Sequence, residues 1–284
     1  MDYEAELDAA VNAGVAGTEA MADFGGDHRV ADGTATKENV NDLVTAADHA
    51  SQDAIVAVLD DTFPEDTIVG EEGTGESITE SGREWIVDPI DGTANFATGF
   101  PYYCVSIALA VDGVPQVGVV VSPPAALDCI WYGVRGEGAF VHENVADVEG
   151  AADLDGVSLS VTSQNELPGA FVFGRLSERH AGRRRIDWAV AQQLLDSDSK
   201  FRRVGSAALN LCQVAAGHGD GYVVLSLQEW DIAAGTLLVE EAGGAVRKQP
   251  ARVEEDSVEV IASNGDLQAT LTGIVDETLA EHRS

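Results

Sequence analysis

Two aspartates three positions apart dominate the chemistry this chain could do. They lie in Trp85-Ile-Val-Asp88-Pro-Ile-Asp91-Gly-Thr93-Ala-Asn-Phe96. The apolar lead-in Trp85-Ile86-Val87 predicts a strand leaving a core. Pro89 has a locked φ and no N–H, so it is expected to end the ladder. The turn can then point Asp88, Asp91 and the carbonyl of Ile90 to one side. Such oxygen ligands suit Mg²⁺, Mn²⁺ or Ca²⁺ rather than Zn²⁺ or copper. Gly92-Thr93 opens a short helix, and free N–H groups at a helix start beside a glycine cradle an anion. Cation and phosphate sites are thus expected side by side. For the motif alone, a turn whose acids simply cap a helix is an equal reading.

Further acids could complete the site. Glu71-Glu72 follows Ile68-Val69-Gly70, and Asp231 follows Trp230 and precedes the helical run Ile232–Val239. Asp48 stands three positions after Thr45, which is expected to cap a helix. Each has a plain structural reading: an exposed Glu pair, or acids favourable to a helix dipole. The six histidines are scattered and none has metal-ligand spacing, which supports all-oxygen ligation. Cys104, Cys129 and Cys212 form no close pair, so they read as buried small hydrophobes rather than disulfides or zinc ligands.

The net charge of −33 comes from 49 acidic residues against 16 basic ones, with lysine only at 37, 200 and 248. The acids run along the whole chain, which argues against a disordered acidic tail. The composition suits very high salt, as in the cytoplasm of a halophilic archaeon, where screening lengths fall to roughly 3 Å or less. Acid pairs then arise by chance, and Asp60-Asp61, Glu254-Glu255 and Asp196/Asp198 are expected on solvated surface. With no basic stripe, nucleic acid is expected not to be a partner; Arg183-Arg184-Arg185 reads as an exposed helix face. No apolar run is long enough to span a membrane, and Met1-Asp2-Tyr3-Glu4 does not open a secretory signal. A cytoplasmic protein without a membrane partner is expected.

The elements around these residues alternate in blocks. Helices are expected at 3–24, from Thr45 to about Leu59, at 177–195, 206–216 and 231–242, and to about Leu279 at the end. Strands are expected at 67–70, 85–87, 103–111, 116–122, 129–134, 139–142, 157–161, 170–174, 201–204, 222–227 and 258–262. Asp112-Gly113 signals a hairpin, Gly136 and Gly138 another turn, and Gly243-Gly244 a left-handed helix end. Residues 25–40 read as a glycine-bearing loop. The pattern predicts layers of helices and sheets, the latter partly antiparallel.

Taken together, Asp42-Leu-Val-Thr-Ala-Ala-Asp48, Gly70-Glu-Glu72, Trp85–Phe96, Trp230-Asp231-Ile-Ala-Ala-Gly235 and Glu240-Glu-Ala-Gly-Gly244 resemble the inositol monophosphatase family. That family belongs to a superfamily of lithium-sensitive, magnesium-dependent phosphatases that includes fructose-1,6-bisphosphatase. The match runs in order from about residue 37 to 263, nearly the whole chain. The resemblance implies an α-β-α-β-α layered sandwich and a homodimer. Its first half, 1–153, carries the metal and phosphate motif, and its second, 154–284, the Trp-Asp motif; together they would make one compact unit with the active site between them.

The resemblance also implies roles. Glu71, Asp88 and the Ile90 carbonyl look like ligands of one Mg²⁺; Asp88, Asp91 and Asp231 look like ligands of a second. A third ion is compatible with the family, and Mn²⁺ could substitute. Thr93, hydrogen-bonded to Asp48, would with Glu71 position and deprotonate a metal-activated water, which attacks phosphorus in line. The N–H groups of Gly92 and Thr93 would hold the phosphate. Trp230 would pack behind Asp231, Lys37 matches a loop lysine near the metals, and Ser206 and Ala207, with Asp231, are candidate substrate contacts.

The expected activity is hydrolysis of a small sugar or polyol phosphate. One departure bears on which. Many inositol phosphatases carry an acid seven positions before the Asp of the Trp-Asp motif, where it meets inositol hydroxyls; here the residue is Val224. Fructose-1,6-bisphosphatase, or an enzyme of dual specificity, is the alternative, with Arg175, Arg179, Arg202 and Arg203 available for a second phosphate. A 3′-phosphoadenosine nucleotide phosphatase lacks a base-binding signature here, and a non-catalytic binding protein would be marked by a lost metal ligand, which this chain does not show.

Overall fold

The computed structural model describes residues 3–24, 37–73, 82–177 and 180–282, without the side chains of 37–43. In chain order the elements are α1 (Glu4–Ala22), α2 (Lys37–Thr62), β1 (Thr67–Gly70), β2 (Arg83–Asp91), α3 (Thr93–Thr98), β3 (Cys104–Val111), β4 (Val114–Ser122), β5 (Cys129–Val134), β6 (Gly138–Glu143) and β7 (Val157–Ser158). They continue with β8 (Phe171–Gly174), α4 (Ala181–Asp196), β9 (Lys200–Arg202), α5 (Ala207–Ala215), β10 (Gly221–Leu227), α6 (Ala233–Glu241), β11 (Ala245–Pro250), β12 (Val258–Ser263) and α7 (Gln268–Glu281). Two compact units result. One is Met1–Ser158 with Gly205–Leu209 and Trp230–Leu238; the other is Leu159–Val204, Asn210–Glu229 and Val239–Ser284. The Trp-Asp motif, distant in sequence from Asp88, thus packs within the first unit.

The first unit is built on a seven-stranded sheet in the order β1 to β7. β1 and β2 are parallel and the other neighbours antiparallel. Alternation sorts its faces. Val105, Ile107 and Leu109 of β3 and Val117, Val119 and Val121 of β4 join the core formed with α1 and α2. The two helices lie close because α1 offers Ala9, Ala10, Ala13 and Gly17; a Cβ on Gly17 would stand 2.8 Å from Ile55. On the opposite face of β4, Gly118 lets the start of α6 approach, since a Cβ there would lie 3.0 Å from the Ala234 carbonyl. Trp85 is fully buried beside Phe63, and its indole N–H donates to Asp66 at 3.1 Å. Truncating it to alanine would cost about 3–5 kcal/mol.

The second unit has a five-stranded sheet in the order β11-β12-β10-β8-β9. Val190 and Leu194 of α4 and Leu271, Val275 and Leu279 of α7 pack against Val172, Val223, Leu225 and Ile261. Gly243 takes φ +87° after α6, with Gly244 N–H on the Val239 carbonyl and Gly243 N–H on that of Glu240, the expected left-handed end. Asp112 and Gly113, at φ +49° and +74°, make the expected hairpin turn.

Several local expectations are corrected. Thr45 does not cap α2, which begins at Lys37; no glycine or proline interrupts 37–62, so propagation carries the helix past a residue that could have capped it. Part of the expected 25–40 loop is therefore helical, and residues 25–36 lie outside the described ones. β7 covers only Val157–Ser158 of the strand expected at 157–161. β11 was not among the expected strands; it forms as an edge strand on β12, where a terminal proline is tolerated. Pro89 does not end β2, and what it does instead builds the site.

Candidate metal and phosphate site

In a regular strand, residues three apart face opposite sides, so Asp88 and Asp91 could not share a site. β2 avoids this with a bulge. Asp88 is opposite Ser106 and Asp91 opposite Cys104, so three steps on β2 match two on β3. Pro89, with no N–H for the ladder, sits in the bulge. The extra residue turns both carboxylates to the same face. The turn is then held locally: Asp88 Oδ1 accepts the Ile90 N–H at 3.0 Å, and Ser51 of α2 donates to the Pro89 carbonyl at 2.9 Å.

Helix α2 fixes the second acidic turn as well. The Glu72 N–H donates to Gln52 Oε1 at 3.2 Å, while the Glu71 N–H donates to the Val87 carbonyl at 3.2 Å. Gly70 packs so closely on the Gln52 amide that a Cβ would collide with it. Asp48, Ser51 and Gln52 share one helix face by their i, i+3, i+4 spacing. That spacing was visible in the sequence, and Ser51 and Gln52 were the residues it could have revealed.

Asp88, Asp91 and Asp231 each bring a carboxylate oxygen within 4.8 Å of the others. Asp88 and Asp91 are buried and Asp231 is half-buried, just ahead of α6. Glu71 is exposed, yet its carboxyl hydrogen-bonds to that of Asp88. Burial, then Glu71, Asp91 and Asp231, push Asp88 well above the usual carboxylate range. Burial, Glu72 and Asp91 raise Glu71 against the opposing hydrogen bond from Asp88. Burial, then Glu72 and Glu71, push Asp48 up to about 8. Every charged neighbour that moves these groups is another acid, and Asp48 Oδ1 is buried without a hydrogen-bond partner. Carboxylates so arranged fit hard divalent cations.

The remaining expected residues fall as follows. Gly92 is left-handed at φ +96°, where a Cβ would also stand 3.0 Å from the Tyr102 carbonyl. Its carbonyl accepts the Asn95 and Phe96 N–H groups as α3 begins. The Thr93 hydroxyl, expected on Asp48, donates instead to the Ile90 carbonyl at 3.0 Å, the nearer acceptor three residues back. Ser206 and Ala207, expected toward substrate, bind Asp91: the Ser206 hydroxyl donates at 2.5 Å and the Ala207 N–H at 3.1 Å. Cys104 is not merely a small hydrophobe, since its thiol lies 3.9 Å from Asp91 Oδ2. Cys212 is buried, and Cys129 is half-buried with its thiol pushed up to about 11 by burial, Glu143 and Asp128. The Lys37 side chain and Arg179 lie outside the described residues.

In the second unit, Val224 is buried in β10 opposite Val260. Arg175 donates to the Ser226 carbonyl at 3.1 Å, and Arg202 stacks on Phe171 at 4.7 Å. Arg203 is exposed. Arg183 is not on an exposed face: it pairs with Glu254 and donates to the Ser226 hydroxyl at 3.0 Å. Glu254, expected as solvated surface, is therefore half-buried, because the turn before β12 packs on the start of α4.

Comparison with known proteins places this fold and its acidic cluster in a family. Residues 2–283 match the inositol monophosphatase family. The solved inositol monophosphatase of Anabaena (Nostoc) sp. is 29% identical, with a TM-score of 0.76 over 96% of this chain and 95% of its own. Mycobacterium tuberculosis SuhB is 30% identical, with a TM-score of 0.74 over 95% and 94%. The Nus factor SuhB of Pasteurella multocida is 40% identical over 211 residues, 74% of this chain and 73% of that protein. The chain belongs to the inositol monophosphatase family, and its mixed α/β fold is that of the family's solved members. The same relatives correct one expectation. Nucleic acid was excluded on charge alone, but a relative at 40% identity carries the transcription-associated name Nus factor, and the exclusion does not stand. Among the described residues, no helix is long and apolar enough to cross a membrane.

Proposed function

We propose that this protein is a Mg²⁺-dependent phosphomonoesterase for a small sugar or polyol phosphate. The observation that carries the reading is the convergence of Asp88, Asp91 and Asp231 within 4.8 Å, bordered by Glu71 and by Asp48, which burial and neighbouring acids push up to about 8. Glu71, Asp88 and the Ile90 carbonyl would hold one cation, and Asp88, Asp91 and Asp231 a second, with Mn²⁺ able to substitute. A bound Mg²⁺ pair supplies Lewis-acid stabilisation of charge on the phosphoryl oxygens and lowers the pKa of water. Glu71, whose carboxyl hydrogen-bonds to that of Asp88, would accept the proton of the attacking water. Thr93, whose hydroxyl donates to the Ile90 carbonyl, would orient that water through the same hydroxyl oxygen. The first N–H groups of α3, at Gly92 and Thr93, have no intrahelical acceptor and would bind the phosphate.

Val224 offers nothing to sugar hydroxyls, so strict inositol specificity is not expected. Fructose 1,6-bisphosphate is the alternative substrate, and it would need an arginine such as Arg175 or Arg203 for its second phosphate. The test is phosphate release from inositol 1-phosphate and fructose 1,6-bisphosphate in multimolar KCl, with Mg²⁺ and with EDTA. EDTA-sensitive turnover supports the reading, and the faster substrate names the enzyme. Absence of turnover on both, with Mg²⁺ bound, counts against it. The charge of −33 leads us to expect full activity at multimolar salt, and a homodimer is expected by light scattering. The relatives named Nus factor SuhB favour a second reading, a transcription-associated role. Retention of single-stranded RNA in a mobility-shift assay across a salt series would support it, and no shift at any salt would remove it.

A further inference from the structure

Asp91 lies more than 100 residues before α5, yet it occupies the end of that helix. Its Oδ2 accepts the Ser206 hydroxyl at 2.5 Å and the Ala208 N–H at 2.6 Å; its Oδ1 accepts the Ala207 N–H at 3.1 Å. Ser206 is itself the cap of α5, since its Oγ accepts the Leu209 N–H at 3.2 Å. Three of the four N–H groups that a helix start leaves open are thus met by Asp91 and Ser206. The Cys104 thiol closes the other side, 3.9 Å from Asp91 Oδ2 and 3.8 Å from Ser206 Oγ. Ser206 is fully buried.

Nothing about a substrate contact requires this arrangement. We infer that Ser206 is a positioning residue for Asp91. Its hydroxyl and the first N–H groups of α5 hold the Asp91 carboxylate plane through both oxygens, beside Asp88 and Asp231. The inference rests on the metal-site reading proposed above and assigns Ser206 a part in it. Ser206 acts through Asp91, so its removal weakens the cation bound by Asp88, Asp91 and Asp231 and spares the one bound by Glu71, Asp88 and the Ile90 carbonyl. Partners that orient a ligand typically account for 10–100-fold in metal affinity.

The test is Mn²⁺ titration of the intact chain, followed by electron paramagnetic resonance of the free ion, for the parent protein, Ser206→Thr, Ser206→Cys and Ser206→Ala. The parent and Ser206→Thr, which keep the hydroxyl, are expected to bind a tight and a weaker Mn²⁺ alike. Ser206→Ala is expected to weaken the second binding step at least tenfold and leave the first unchanged. Ser206→Cys keeps the side-chain size with a poorer donor and should fall between, so the test survives if the alanine variant does not fold. The Mg²⁺ concentration for half-maximal turnover should rise in the same order, while kcat at saturating Mg²⁺ falls less. Equal Mn²⁺ binding in all variants overturns the positioning role and leaves the phosphatase reading intact. Equal weakening by threonine and alanine also overturns it, because packing rather than the hydroxyl would then be responsible. A parent protein that binds no Mn²⁺ overturns the metal-site reading itself.

Discussion

Glu259 in β12 and Asp88 in β2 are almost equally withdrawn from water, at 0% and 1% exposure, but their surroundings are opposite. Glu259 accepts hydrogen bonds from Arg247 at 2.8 Å, from Arg252 at 2.7 and 2.9 Å and from Gln249 at 3.1 Å. The same arginines grip Asp276 and draw its carboxyl below the usual range. Asp88 meets Glu71, Asp91 and Asp231, and they drive it upward. This chain has only 16 basic residues, and it places two of them, Arg247 and Arg252, against the buried Glu259 carboxylate. The site around Asp88 relies on charge from outside the described side chains. A buried acid matched by arginines is a lock, whereas buried acids matched by acids make a place for a cation.

Substitution should separate the two clusters most sharply. Asp88→Asn is expected to lower kcat/KM by about 100-fold or more, with no fall in the melting temperature in EDTA, because repulsion is relieved while the amide oxygen can still accept the Ile90 N–H. A melting temperature that drops as far as activity does would make Asp88 structural. Glu259→Gln should do the reverse. It leaves two arginines short of a partner and costs about 3 kcal/mol, read as a lower urea midpoint, while turnover per folded molecule stays at the parent value.

The pH response sharpens the comparison further. Between the ordinary carboxylate value near 3.8 and the value of about 8 held by folded Asp48, the native state keeps a proton that the unfolded chain has released. The Asp48 contribution to stability without Mg²⁺ should therefore be fully present below about pH 4, shrink as pH rises and be gone above about 8. Bound cations compete with those protons, so stabilisation by Mg²⁺ should be larger at pH 8 than at pH 5.5. Thermal melts at both pH values, with Mg²⁺ and with EDTA, check this; Mg²⁺ stabilisation that is equal at both, or larger at pH 5.5, would place the cation away from these acids.

A smaller effect is expected at Gly92. Gly92→Ala forces a side chain into a left-handed conformation, at about 1–2 kcal/mol, and crowds the Tyr102 carbonyl at 3.0 Å. KM for the phosphate ester should rise more than stability falls. Neutralising exposed acids should do least: Asp60→Asn with Asp61→Asn, at the end of α2, is expected to shift the urea midpoint by no more than about 0.5 kcal/mol of stability.

Most strands could be read from apolar runs between turn formers, and helix ends marked by glycine fell close to their places. β11 could not, because its stability comes from the neighbouring strand and from Arg247 reaching Glu259. The start of α2 was misplaced because a capping residue is only an option that a continuing helix can ignore. Arg183 and Glu254 each read as surface, and only their pairing buries them. Ser51 and Gln52 went unremarked although they share a helix face with Asp48, because small polar residues have too many ordinary uses to signal one.

What the sequence determined by itself was the chemistry: oxygen ligands, a proline and two glycines at spacings that suit a cation beside a phosphate, in a chain of the inositol monophosphatase family. What only the tertiary structure decided was which way those groups face. Asp88 and Asp91 meet because one bulge on β2 reverses the parity of the strand, and Asp91 is oriented because α5, over 100 residues later, presents its open N–H groups to it. Local spacing cannot encode either outcome, since parity depends on the partner strand and a helix end can be capped by any acceptor that the fold brings near.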